Sequence, residues 1–248
     1  MVNPTDFLLA VEGVSVSFDG FKAVNDLSLY IEKDELRVII GPNGAGKTTV
    51  LDLICGRTRV DQGSIRFNNR EITKMPEHEI VRLGVGRKFQ TPSIYEDLTV
   101  FENLEISVPR GRSVSGALLF RRSEEVVDRV RETAREIFLE EQLDRPAGTL
   151  SHGQKQWLEI GMLLIQDPEL MMLDEPVAGM SVSERVRTGE LLARIARGRA
   201  VIVIEHDMKF VESIARKVTV LHQGRVLAEG RMETIQNNPK VRDVYLGH

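Results

Sequence analysis

From Val14 to Phe18 apolar positions alternate with serines, and after Asp19-Gly20 a second apolar run covers Phe21 to Val24. Alternation on both sides of an Asp-Gly turn predicts an antiparallel hairpin, so the chain opens in β structure. Leu36 to Ile40, Leu170 to Leu173 and Ala200 to Ile204 are nearly unbroken apolar runs. Such runs suit strands covered on both faces, as in a parallel sheet. Between Gln90 and Leu150 the period lengthens. Val126, Val127, Val130, Ala134, Ile137 and Phe138 form a helical stripe, and Thr99-x-x-Glu102 has the form of a capping box. This predicts a helical insert at about 91–150 within a single domain spanning 1–248. Arg110 to Arg122, rich in Arg, Gly and Ser, reads as an exposed connection inside it. Farther on, Val211, Ile214, Ala215 and Val218 predict a helix, and Val218 to Leu221 with Arg225 to Ala228 around Gln223-Gly224 predict a second hairpin. Strands interleaved with helices place the chain in the α/β class.

Composition narrows the picture. The 248 residues, 42% of them apolar, can bury a substantial core without staples. The single cysteine, Cys55, has no internal partner and sits in an apolar stretch, which predicts a small buried core residue and a reducing compartment. Thirty-three basic against 37 acidic residues leave a net charge of −4, so a surface that tracks a phosphate backbone is not expected, and nucleic acid is not the expected partner. Apolar runs such as Ala200 to Ile204 fall far short of the roughly 20 residues a membrane span needs. Met1 to Val11 carries no basic cluster ahead of an apolar run, so no secretory leader is expected.

Three segments carry chemistry. Gly41-Pro42-Asn43-Gly44-Ala45-Gly46-Lys47-Thr48 fits the phosphate-loop pattern, placed between a buried strand and a helix as that pattern requires. Its glycines let backbone N–H groups turn toward phosphate oxygens, Lys47 reaches the β and γ phosphates, and Thr48 can ligate Mg²⁺. Leu170 to Leu173 leads into Asp174-Glu175, which presents two carboxylates at the carboxyl edge of a sheet. Standing alone, such acids serve as readily to cap a helix or to be solvated at a strand end. Beside a phosphate loop, Asp174 is expected to hold the Mg²⁺ shell and Glu175 to polarise the attacking water. Leu150-Ser151-His152-Gly153-Gln154 contains a capping box, Ser151-x-x-Gln154, opening a helix marked by Trp157, Ile160, Gly161 and Leu164. The N-terminus of such a helix can bind an anion.

That third segment resembles the ABC signature sequence. With it the chain, from the first hairpin to about Gly230, resembles the ATP-binding subunits of ABC transporters. The resemblance implies a P-loop NTPase cassette with a RecA-like parallel-sheet core, an N-terminal antiparallel β subdomain and an inserted helical subdomain. It implies ATP with Mg²⁺, held by Asn43, Gly44, Ala45, Gly46, Lys47, Thr48 and Thr49, and by Ser151, Gly153 and Gln154 of a second cassette, the same chain or a related one. It also assigns catalytic positions to Glu175, His206, Lys47 and Gln90, and metal positions to Thr48, Gln90 and Asp174. Phe18 matches the aromatic that stacks on adenine, although Val14, Val16 and Phe18 share a strand face and are equally suited to a core. In the family the loop after Glu175-Pro176 usually ends in Asp and crosses the dimer interface. Here Val177-Ala178-Gly179-Met180 ends in the uncharged Ser181.

The partners implied are transmembrane permease subunits and, indirectly, a solute-binding protein, with the chain peripheral on the cytoplasmic face of the membrane. Gly86 to Pro92, the Val-Ala-Gly-Met loop and the tail Asp243 to Gly247 resemble the branch that serves branched-chain amino acid and amide uptake. Gln154 to Met162 is similar to urea-importer ATPases, which puts urea ahead of branched-chain amino acids as the expected solute, although the ATPase itself never touches it. A GTPase switch would share the phosphate loop, but Thr73-Lys74-Met75-Pro76 lacks the acid of a guanine-reading motif. A soluble ABC ATPase of ribosomes or DNA usually joins two cassettes or carries long inserts. A module that only holds ATP is disfavoured by the presence of both Glu175 and His206.

Overall fold

The computed structural model describes residues 6–88, 94–109 and 123–246. The chain forms two compact units, one of Met1–Arg87, Glu169–Pro176 and Leu192–His248, the other of Lys88–Pro168 and Val177–Leu191.

In the first unit β1 (Leu9–Phe18) and β2 (Phe21–Ile31) pair antiparallel, with Phe18 opposite Phe21 across the expected turn. The strand begins five residues before Val14, at Leu9, because register shifts between Val11 and Val14 break the alternation there. A bulge of this kind hides the first half of a strand from a period-two reading. β4 (Gln62–Phe67) and β5 (Arg70–Glu71) complete a sheet of order β2-β1-β4-β5. The second sheet contains β3 (Leu36–Ile40), β6 (Val85–Lys88), β7 (Leu170–Asp174), β8 (Ala200–Ile204), β9 (Lys217–His222) and β10 (Arg225–Gly230), in the order β10-β9-β3-β8-β7-β6. β9, β3, β8 and β7 run parallel, and β10 returns antiparallel. β3, β7 and β8 are buried along their whole length, which is why they read as nearly unbroken apolar runs.

α1 (Lys47–Ile54) follows β3 and buries Val50, Leu51, Leu53 and Ile54 in the core of this unit. Cys55 ends the helix and is buried, as expected of a lone cysteine in an apolar stretch. α2 (Glu77–Arg82) lies between β5 and β6. One of the expected helical positions is corrected: α7 (Met208–Ile214) stops before Val218, which lies in β9 opposite Val38. Pairing with a buried strand satisfies both the backbone and the side chain of Val218, so the strand wins over the helical spacing.

The second unit holds α3 (Val100–Ser107), α4 (Glu124–Glu136), α5 (His152–Leu164) and α6 (Val182–Ile195) up to Leu191. Thr99 and Glu102 close the expected capping box of α3. Phe138, counted in the helical stripe, lies outside α4 at φ 64°, with its ring edge-on to Trp157 at 5.2 Å. Packing on an aromatic neighbour rather than helical periodicity places it. A Cβ added to Gly161 would collide with Ile137, so the glycine permits a close approach of α5 to the end of α4.

Candidate functional site

The parallel register brings three chain ends side by side in the first unit. Ile39 of β3 and Asp174 of β7 both lie opposite Ile204 of β8. The residues that follow, the phosphate loop, Glu175 and His206, therefore share one sheet edge, the place where open α/β sheets bind ligands.

The loop is shaped by its glycines at two points. Gly46, the N-cap of α1, has φ 96°, and a Cβ there would stand 2.5 Å from the carbonyl oxygen of Ala23. Gly41 is so close to the Leu221 carbonyl that any Cβ would overlap it. Lys47 Nζ donates to the carbonyls of Gly41 at 2.7 Å and Pro42 at 3.1 Å. Burial lowers the Lys47 pKa from its ordinary value, and the charges of Glu175 and Asp174 oppose that shift. The lysine is thus half-buried over carbonyl oxygens, the kind of acceptor that phosphate oxygens replace. Asn43, Gly44 and Thr48 are exposed, Ala45 is buried, and Thr49 lies between.

Thr48 Oγ1 donates to Asp174 Oδ2 at 3.2 Å, and Asp174 is buried. This pair offers hard oxygen donors, which suits Mg²⁺, a cation that takes one or two protein oxygens and fills its remaining positions with water and phosphate. Among the described residues no group of three or more His, Cys, Asp or Glu could hold a metal by protein ligands alone. Glu175 stands at φ 48°, outside the ordinary range for a side-chain-bearing residue, with its N–H bonded to the Ile204 carbonyl at 3.0 Å. A backbone held there costs about 1–3 kcal/mol and turns the carboxylate out of the strand line. His206 Nδ1 lies 3.4 Å from Glu175 Oε1. The buried Glu205, which no sequence pattern singles out, accepts from the His206 N–H at 3.1 Å and fixes the turn that presents the imidazole.

Phe18 is 46% exposed, so it is not a core residue. Its cross-strand partner Phe21, not foreseen as a site residue, is 66% exposed and lines a cavity of about 400 Å³ with Asn43, Gly44, Ala45 and His222. Gln90, and with it Phe89 to Pro92, lies outside the described residues, as does Arg110 to Arg122.

Ser151, Gly153 and Gln154 belong to the second unit, where Ser151 is the N-cap of α5. Its hydroxyl accepts from the Gln154 N–H at 3.2 Å while its own N–H donates to Gln154 Oε1 at 3.0 Å, the two bonds of the expected capping box. His152 Nε2 donates to the Ala178 carbonyl at 3.0 Å, which ties the loop Val177 to Ser181 to the start of α5. Glu184, another residue not foreseen, reaches Ser151 as well. Its signal was legible as Ser181-x-x-Glu184, a further capping box.

Comparison with known proteins supplies the context for this geometry. Residues 24–178 match the family described as ABC transporter, and residues 225–248 match one described as branched-chain amino acid ATP-binding cassette transporter. The chain is 40% identical to the high-affinity branched-chain amino acid transport ATP-binding protein BraF of Pseudomonas aeruginosa, over 97% of this chain and 98% of that one. It is 39% identical to the corresponding LivG protein of Salmonella typhimurium, with the same coverage of each. Among solved structures, the ADP conformation of an ATP-binding cassette of an ABC transporter superposes with a TM-score of 0.85 at 32% identity, covering 97% of this chain and 99% of that one. A nucleotide-free cassette gives the same TM-score at 31% identity, again over 97% and 99% of the two chains.

Proposed function

The chain belongs to the ABC transporter family, as an ATPase whose hydrolysis is coupled to transport, and we propose that it energises the import of branched-chain amino acids. The observation that carries the solute class is the match of residues 225–248 to the branched-chain amino acid cassette family, seconded by the names of the relatives. Among the described residues no helix is long and apolar enough to cross a membrane. In this reading the chain sits peripherally on the cytoplasmic face, against transmembrane permease subunits that a solute-binding protein supplies. Urea, which the similarity of Gln154 to Met162 to urea-importer ATPases put first among the expected solutes, becomes the second reading, because the family match and the relatives' names favour branched-chain amino acids.

The chemistry follows from the sheet edge. Lys47 leaves the carbonyls of Gly41 and Pro42 for the β and γ phosphates of ATP. Thr48 and Asp174 would hold Mg²⁺, which when bound neutralises phosphate charge. Glu175 orients and deprotonates the attacking water, and His206, within reach of Glu175, holds the γ phosphate in line. Ser151, Gly153 and the helix start they open serve the nucleotide of a second cassette, so the complete site needs two chains, each lending its α5 N-terminus to the other. Gln90 is assigned by resemblance to sense metal and water. ATP hydrolysis then separates the pair, and the alternation of closed and open cassettes drives the permease.

The test is reconstitution with candidate permease subunits and solute-binding proteins, comparing leucine with urea. ATP-dependent leucine uptake is the expected result. Uptake of urea alone would transfer the assignment to the second reading, and uptake of neither beside some other solute would overturn both.

A further inference from the structure

The start of α5 is already engaged. Ser151 Oγ donates to Glu184 Oε1 at 3.3 Å, and a Cβ placed on Gly153 would collide with the same carboxylate. The other oxygen, Oε2, accepts from the N–H and from the hydroxyl of Ser181, both at 2.8 Å, and Ser181 Oγ accepts in return from the Glu184 N–H at 3.3 Å. The carboxylate of one helix's capping box thus extends to the N-cap of another. It also gives a negative charge to a loop whose last residue, Ser181, has none.

The backbone behind this carboxylate is fixed. Trp157 Nε1 donates to Thr188 Oγ1 at 2.9 Å, Thr188 Oγ1 donates to the Glu184 carbonyl at 2.8 Å, and the Arg187 guanidinium lies over the rings of Phe138 and Trp157 at 5.0 and 5.9 Å. These contacts tie α5 to the first turns of α6, so the Glu184 carboxylate hangs from an anchored backbone. The backbone and side-chain hydrogen bonds from Ser181 hold its pKa below the ordinary carboxylate value, so it is an anion at neutral pH.

We propose that Glu184 is a positioning residue of the two-cassette site: it holds Ser151 and Ser181 in the open cassette, and must release Ser151 before a partner's triphosphate can take that hydroxyl. The inference rests on the reading that Ser151 serves the nucleotide of a second cassette. A carboxylate and a γ phosphate cannot share one hydroxyl and one helix start without strong like-charge repulsion. Glu184 therefore sets how much ATP is needed to engage the pair, and acts through Ser151 rather than on the reacting atoms.

Glu184→Gln keeps an acceptor for the Ser181 N–H and so keeps the capping box, while removing the charge. If the start of α5 is clear in one cassette in about ten, apparent engagement is about tenfold weaker than intrinsic, so the variant should lower half-saturating ATP for hydrolysis by roughly that factor, with a smaller change in kcat. The gap from the native protein should narrow between about 0.05 and 0.5 M salt, as the screening length shortens. Glu184→Asp, a methylene shorter, keeps the charge near the helix start but loses the reach to Ser151, so its half-saturation should fall between the native and the Gln values. Glu184→Ala gives the same readout as Gln should the latter not fold. Half-saturation unchanged or raised on loss of the charge would overturn the inference. Ser151→Arg run alongside separates the two levels: if it leaves hydrolysis intact the shared-site reading fails and this inference with it, whereas if it blocks hydrolysis and Glu184→Gln changes nothing, only the role of Glu184 is lost.

Discussion

His206 Nδ1 lies 3.4 Å from Glu175 Oε1, on the turns that leave adjacent parallel strands β8 and β7. The imidazole is 67% exposed and the carboxylate 33%, so their attraction is screened and contributes little to folding. Strand adjacency and the Glu205 bond to the His206 N–H hold the pair in place. His206→Ala is therefore expected to lower ATP turnover by about two to three orders of magnitude, as for a lost donor to the charge that develops on the transferring phosphoryl group. Its unfolding free energy should shift by no more than about 0.5 kcal/mol. A large stability loss with modest loss of turnover would make the histidine a structural residue.

The pair Phe18 and Phe21 gives a second test, since both rings are exposed at the hairpin end and Phe21 lines the cavity beside Asn43 and Gly44. Whichever ring stacks on adenine should cost about 1–3 kcal/mol of ATP binding when replaced by Ala, borrowing the scale of bases on aromatic platforms. Calorimetry with ATP and with inorganic triphosphate separates stacking from damage to the loop, because triphosphate affinity should not change. Equal losses for both ligands would remove the rings from base recognition.

The third test concerns stability. Arg37, a fully buried charge in β3, donates to Glu35 at 2.5 Å, to Thr219 at 2.8 Å, to Glu229 at 2.5 Å and to the Tyr30 carbonyl at 2.9 Å. Replacing it by Ala empties a buried site and takes the guanidinium from Glu35, Thr219 and the Tyr30 carbonyl, while Glu229 keeps Lys217 and Thr219, which should cost about 3–5 kcal/mol in denaturant unfolding. Burial works to raise the Glu229 pKa, but Lys217, Arg37 and Thr219 together hold it below the ordinary value. Its contribution to stability is therefore fully present above the unfolded-state pKa and is lost as pH falls through the lower folded value. Glu229→Gln should flatten the acid limb of the stability curve in that window. An acid limb identical to that of the native protein would contradict the assignment.

Much of this architecture was readable because the residues that make it have local signatures. The three fully buried parallel strands are apolar runs broken only by Arg37 in β3 and by Asp174 at the end of β7, and the phosphate loop and Ser151-x-x-Gln154 carry their geometry in their spacing. What escaped leaves no periodic pattern along the chain. The bulge in β1 masked its first half, Val218 took its place from pairing with β3, and Phe138 from packing on Trp157. Glu205 and Phe21 have no local pattern, since one is defined by the N–H groups it caps and the other by the cavity its hairpin reaches. Glu184 did have one, but only the fold brings its carboxylate to Ser151.

In the proposed function two cassettes close around ATP, and Glu175 is the base that lets them part. Glu175→Gln keeps the size of the side chain and its capacity to hydrogen-bond while removing the charge, and general-base contributions are typically ~10²–10⁴-fold, so hydrolysis should fall by at least about two orders of magnitude with ATP binding retained. Light scattering on this variant, alone and mixed with a candidate partner cassette, measures the closed pair directly. A monomer without nucleotide and a stable dimer with ATP are the expected result. A chain that hydrolyses ATP at the native rate after the substitution, or that remains monomeric with ATP in every mixture including the assembled transporter's own cassettes, would contradict it.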